Sequence, residues 1–293
     1  MRDKKIVLLI LFFLFVNSKN ALADEGIGVG KVGFQGRYPD EVVNPEKPTE
    51  PSDSGKTDKT KGELRIDYVP YFFFDKVAIV NDKDYSLTAH AQYYTKGESP
   101  TGNFVQIVDE RKENGWSLTL KQESEFTLEE DENAKSQMAN ITQAGAISKE
   151  TYKLKGATLS LSNLWASSVH LGVSTSVTPT IKSDVIKMDV GKVYEVANAK
   201  GEVGKGRWAI VAGYSEEYAQ KNGSSSGTLT PVFDKENNPV LLSSSIKNIQ
   251  SYGFDNEKQQ VHYNEAVKLN IPQQEIHSGI YQAKFVWTLT AAP

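Results

Sequence analysis

The 293-residue sequence contains no cysteine. That absence excludes disulfides, thiolate metal ligands, a cysteine nucleophile and a cysteine-linked lipid. A small disulfide-built domain is therefore ruled out, and core packing has to carry the stability. The 39% hydrophobic share is enough for such a core. Long apolar runs are equally scarce. The longest, Ile6–Val16, has eleven residues, fewer than the roughly 18 that a spanning helix needs. It follows Arg2, Lys4 and Lys5 and precedes Ala21-Leu22-Ala23, a small-x-small site. That arrangement is a signal peptide over residues 1–23, with a mature start at Asp24, export from the cell, and no transmembrane segment in the mature chain.

Basic charge is short too. Removing residues 1–23 takes away Arg2, Lys4, Lys5 and Lys19 against Asp3, which turns the net charge of −4 into −7. A chain of that sign repels polyanions, so nucleic acid is not an expected partner. The elements of common catalytic sites are also missing. His90, His170, His262 and His277 are scattered, with no His-Glu-x-x-His, and there is no Gly-x-Ser-x-Gly elbow. Glu123 and Glu125 share one strand face, but neighbours on one strand do not flank a cleft as a glycosidase pair must. Glu129–Glu132 lacks the alternating ligands of a calcium loop and reads as a charge run. No enzyme activity, cofactor or metal is expected.

What the chain does have is strand pattern. Residues 24–61 form an extended spacer, with Gly26, Gly28 and Gly30 followed by Pro39, Pro45, Pro48 and Pro51 among charged residues. The glycine run has no strand before it and no helix pattern after it, so it is not a nucleotide fingerprint. From Gly62 apolar residues alternate with polar ones: Leu64, Ile66 and Tyr68, then Tyr85 to Tyr94, with Val77–Val80 as a short apolar run between. Phe104–Val108 and Trp116–Lys121 read as a hairpin turning through Asn114-Gly115. Ala157–Leu161, Val169–Val177, Lys182–Val190, Lys192–Asn198 and Gly206–Val211 continue the pattern, with Trp208 and Ile210 on one face. Residues 129–150 and 223–263 read as insertions, and 214–222 as a helical turn. Tyr281, after His277-Ser278-Gly279-Ile280, has the placing of a tyrosine corner, whose hydroxyl bonds back to upstream backbone. The class is all-β: a β-sandwich, immunoglobulin-like but not of standard topology, with loop or short-helix insertions.

Two stretches stand out. Phe285-Val286-Trp287-Thr288-Leu289-Thr290 ends the chain's pattern, and Gly115-Trp116-Ser117-Leu118-Thr119-Leu120 echoes it far upstream, in a chain with four tryptophans. The echo, with Gly62–Val69, Phe104–Asp109, Lys155–Leu161, Val267–Pro272 and Gly279–Tyr281 in order around it, resembles the WxL-domain family of Gram-positive surface proteins. The resemblance covers roughly residues 62–293 and implies one WxL-like domain there. It implies non-covalent attachment to the cell wall, with peptidoglycan or another wall glycan as ligand and a membrane-anchored WxL-interacting protein as partner. No Leu-Pro-x-Thr-Gly sortase signal is present, so covalent anchorage is not expected. The negative charge also suits teichoic acids poorly, leaving shape, stacking and hydrogen bonds to hold the wall. The alternative is a structural subunit or host-directed adhesin held on the surface only by protein partners.

Trp116, Leu118, Trp287 and Leu289 carry the motif, either as fold-holding core or as a sugar-stacking surface. The large apolar residues on the same strand face as each tryptophan favour the core. Tyr71, Tyr93, Tyr94, Tyr214 and Tyr218, near turns or at polar-facing positions, are the candidate contacts for a glycan or partner.

Overall fold

The computed structural model describes residues 41–54, 59–80, 82–95, 98–112, 115–129, 152–168, 178–201, 203–242 and 259–292. Residues 1–23, the spacer's first part, residues 130–150 of the first expected insertion, residues 243–258 of the second, the Val169–Val177 stretch and His170 lie outside the described residues. All described residues fall within one of the two units into which the chain divides, Gly36–Pro293.

Strand makes up 47% of the described residues and helix 4%, which settles the all-β, sandwich-like class. Three larger antiparallel sheets carry it. The first runs in the order Thr180–Ile181, Val193–Ala199, Trp116–Gln122, Phe285–Ala291. The second runs Leu164–Ser168, Gly206–Ala212, Asn103–Asp109, Leu64–Tyr68. The third is built on the long strand His262–Ile271, which pairs with Thr158–Leu161, Leu229–Pro231 and Tyr85–His90. Period-two alternation explains the result: Trp116, Leu118 and Leu120 point one way and are wholly buried, while Ser117, Thr119 and Lys121 point the other and are half-buried. A single apolar cluster joins those three side chains to Ile66, Val105, Ile107, Trp208 and Ile210 of the second sheet. Leu159, Leu161 and Val267 of the third sheet complete it.

Phe104–Val108 and Trp116–Lys121 do not form the expected hairpin. They belong to different sheets, because the apolar faces of both strands are buried in the same core and must face each other across it. The connection is tied by Arg111, whose guanidinium meets buried Asp109 at 2.8 Å and donates to the Gly115 carbonyl at 2.7 Å. Gly115 has φ +92°, and a Cβ there would press on the carbonyls of Ala199 and Ala292. The apolar run Val77–Val80 is exposed and held at its end by Tyr85, whose hydroxyl donates to the Ala78 carbonyl at 2.9 Å. Two local expectations match the coordinates. The Tyr281 hydroxyl donates to the His277 carbonyl at 3.0 Å. A helix, Glu216–Lys221, follows the N-cap Ser215, whose hydroxyl accepts from the Tyr218 amide.

The spacer needs correction. Of its described part, residues 41–54 pack on the outer face of the second sheet as a two-stranded hairpin, Val43–Asn44 with Lys47–Pro51. The Asn44 side chain closes its turn by accepting from the Glu46 and Lys47 amides at 2.9 and 3.2 Å. Val42 joins Tyr68, Tyr94, Phe104 and Val211 in a second apolar cluster. The reason is polar as well as apolar. Gln106 projects from the middle of a buried strand, and the hairpin meets both ends of its amide, which donates to the Glu41 carbonyl and accepts from the Val43 amide. Pro45, Pro48 and Pro51 are tolerated because this two-stranded hairpin has free edges. Glu46 anchors the far end, accepting from the backbone amide and the hydroxyl of Ser215. Burial raises its pKa above the usual 4.5, with the Ser215 bonds pulling against the rise.

Two outcomes follow from the packing. Leu118→Ala removes a wholly buried side chain at the junction and should lower the unfolding free energy by about 2–5 kcal/mol, whereas Thr288→Ala on the exposed face should stay within about 0.5 kcal/mol. Denaturant unfolding followed by tryptophan fluorescence measures both. Because folding raises the pKa of Glu46, the folded state holds that proton more tightly than the unfolded chain does. Its contribution is present below the ordinary value and lost as pH rises through the raised one. Glu46→Gln should therefore gain on the wild type as pH is raised from about 4 to about 7 in urea titrations. A constant difference between the two proteins would refute that role.

Candidate functional site

The two Trp-x-Leu stretches lie side by side. Trp116–Gln122 and Phe285–Ala291 pair antiparallel with Leu118 opposite Leu289, Leu120 opposite Trp287, and Trp116 opposite Ala291. Each tryptophan thus sits near an opposite end of one ladder, and both point into the main core. Trp116 has no exposed surface, and its indole N–H donates to the Gly204 carbonyl at 2.9 Å. Gly204 has φ +79°, and a Cβ there would stand 2.7 Å from the indole nitrogen, so only glycine allows this approach. A ring so enclosed offers no face to a sugar. Leu118 is equally buried, while Trp287 and Leu289 are half-buried. All four motif side chains pack in or against the main core.

The outer side of the same ladder is hydroxyl-rich. Ser117 stands opposite Thr290 and Thr119 opposite Thr288. Ser117 donates to Glu195 at 3.1 Å, and Asn198 donates to the other oxygen of the same carboxylate at 2.7 Å.

The candidate tyrosines separate into three groups. Tyr93 and Tyr94, expected as surface contacts, are 2% and 0% exposed and are not available to a ligand. The Tyr93 hydroxyl donates to the His262 carbonyl at 3.0 Å, and Tyr94 shares a hydrogen bond of 2.6 Å with Thr101. Burial pushes both phenols well above their ordinary pKa. These neighbours enter different apolar clusters, a consequence of tertiary packing that local pattern does not display. Tyr71 is 38% exposed and stacks on Phe73 with ring centres 6.2 Å apart.

Tyr214 and Tyr218 come together at the short helix, and the structure adds a residue that sequence reasoning missed. Trp165, on the edge strand Leu164–Ser168, stacks on Tyr218 with centres 4.3 Å apart and planes 26° apart. Tyr214 stands 6.2 Å from Tyr218. All three rings are half-buried. The Trp165 indole donates to the Gly213 carbonyl at 2.9 Å, which fixes its plane. Ser215 lies between the tyrosines and carries Glu46 on its amide and hydroxyl; burial and the nearby Glu46 carboxylate raise the Tyr218 phenol. The arrangement is a rigid aromatic surface with a carboxylate and hydroxyls beside it, suited to stacking on a ring with apolar C–H faces. The signal for Trp165 was only its rarity, since its strand is short and at a sheet edge.

The groups weighed for catalysis are otherwise engaged. Glu123 meets Lys284 at 2.7 Å, which lowers its pKa, and Glu125 lies 3.6 Å from Lys153. His90 is buried with Nε2 2.8 Å from Asp75. Among the described residues no group of three or more metal-binding side chains is close enough to hold an ion. No helix among them is long and apolar enough to cross a membrane.

Compared with known proteins, the chain matches neither a curated protein nor a solved structure. The family model described as WxL domain, surface cell wall-binding, matches residues 24–293. That span takes in both Trp-bearing strands, the hairpin at 41–54 and the aromatic surface at Trp165. This chain belongs to the WxL family of cell-wall-binding surface domains.

Proposed function

We propose that the protein is exported, loses residues 1–23, and is retained outside the cell through non-covalent binding of its domain to peptidoglycan or another wall glycan. In this reading residues 24–40 remain as the spacer, and a membrane-anchored WxL-interacting protein is its assembly partner on the surface. No chemical step is assigned to it; the protein acts by binding. The carrying observation is the stacked Trp165–Tyr218 pair with Tyr214 beside it, because sugar rings are recognised by fixed aromatic planes flanked by hydrogen-bonding groups. Tyr71, exposed and stacked on Phe73, offers a further aromatic ring at the surface. The net negative charge supports stacking and shape over bulk attraction as the source of affinity.

One observation favours the alternative, in which protein partners alone hold the molecule on the surface. Val77, Ile79 and Val80 are 48%, 43% and 40% exposed in one continuous run. Apolar surface of that kind suits a protein neighbour better than a polysaccharide.

Co-sedimentation with purified cell walls separates the readings. The wild-type protein should pellet with washed walls. Tyr218→Ala and Tyr214→Ala should each weaken retention by roughly 2- to 10-fold, the worth of one aromatic contact. Tyr93→Phe, inside the fold, should leave retention unchanged. Failure of the folded wild type to pellet removes glycan binding; pelleting that ignores both alanine variants removes the aromatic surface.

A further inference from the structure

The last strand, Phe285–Ala291, forms one edge of the first sheet. Its pairing fixes which backbone groups look outward. The Ala292 amide donates to the Gly115 carbonyl at 3.1 Å, and the Glu123 amide to the Lys284 carbonyl at 2.8 Å. In an unbroken antiparallel ladder these bonds recur at every second residue, so Val286, Thr288 and Thr290 also address Trp116–Gln122. The N–H and C=O groups of Phe285, Trp287, Leu289 and Ala291 therefore point away from the sheet. They meet no hydrogen-bond partner among the described residues.

The burial pattern marks the same edge as incomplete. Leu118 and Leu120 have no exposure, yet Leu289 and Trp287 directly opposite them are only half-buried although they face the same core. The Trp287 indole nitrogen is also enclosed without a hydrogen-bond partner among the described residues. The strand itself does not blunt the edge. Phe285–Ala291 has no charge, no proline and no bulge, the features by which exposed edges are ordinarily protected from pairing.

We infer that this edge is a pairing surface for the same strand of a second copy of the chain, related by a two-fold axis at Thr288. The register is self-complementary. With Thr288 on the axis, the outward-pointing residues become the hydrogen-bonded pairs: Trp287 with the partner's Leu289, and Phe285 with the partner's Ala291. Each pairing sets a large side chain against a smaller one on the core-facing side, and each half-buried residue gains a neighbour. On the outer side Val286 meets the partner's Thr290, and Thr288 meets the partner's Thr288. No like charges oppose each other, in contrast with the acidic chain as a whole. The two first sheets join into one continuous sheet, and the interface is isologous and closed.

Sedimentation and cross-linking test this on the full chain. At roughly 0.1 mM the wild type should sediment at twice its chain mass. On the axis, Thr288 forms a non-hydrogen-bonded pair with Cα atoms roughly 4.5 Å apart, within the range a disulfide spans. The chain has no cysteine of its own, so Thr288→Cys should give a covalent dimer on oxidation. Ser117→Cys, on the same sheet face but one strand inward, should give none. Thr288→Lys places two like charges on the axis at an exposed site and should weaken association about tenfold or more with an unchanged far-ultraviolet spectrum. A wild type that stays monomeric at that concentration overturns the inference. So does a Thr288→Cys protein that cross-links no better than Ser117→Cys, or a monomer that adds some other strand at this edge.

Discussion

The structure depends on the burial of one strand, Trp116–Gln122, at the place where three sheets meet. Its alternate side chains, Trp116, Leu118 and Leu120, are wholly enclosed by residues from all three. At about 1.5–3 kcal/mol for each fully buried large apolar side chain, this junction is a sizeable share of the stability of a chain that has no disulfides. The strand is central in its own sheet, with Val193–Ala199 on one side and Phe285–Ala291 on the other. Trp116 is held in place by a single polar contact to Gly204, at a backbone conformation that other residues rarely adopt.

The second sheet poses a different problem. Its strand Asn103–Asp109 is buried along its whole length, yet it carries Asn103, Gln106 and Asp109. Polar groups in such a position must be bonded. Asp109 is answered by Arg111, Gln106 by the hairpin at 41–54, and Asn103 by Asn264 at 2.8 Å. The hairpin is therefore part of the folded body, and the family match reaches back past it to residue 24. It also carries Glu46 to Ser215, so the short helix bearing Tyr218 is fixed to the sheet from two directions.

Legibility in the sequence followed the range of the interaction. The kinship of the two Trp-x-Leu stretches was readable because each has its own period-two pattern and identical chemistry, and they pair in full register. Tyr281 and the helical turn at 214–222 were readable because their bonds reach residues only three or four positions away. Phe104–Val108 misled because two apolar strands joined by an Asn-Gly turn look the same whether they pair edge to edge or face each other across a core. The buried pair Tyr93 and Tyr94 misled because burial there comes largely from Leu242, Val261, Val42 and Val211, all distant in sequence. Trp165 and Glu46 were not seen because each becomes part of a site only through a residue far along the chain.

By itself, then, the amino-acid order determined the all-β class, the core-facing side of each main strand, the reliance on packing without thiols, and the family. Those properties are set by side-chain period and composition, which are local. Only the tertiary structure decided that Trp116 is core and not a sugar platform, that Pro-rich residues 41–54 are folded, and that Trp165, Tyr214 and Tyr218 share one surface. It also decided that Phe285–Ala291 is a sheet edge, with one side unpaired among the described residues. Each of these depends on which segments become neighbours, and that is settled by burying the apolar faces of three sheets at once.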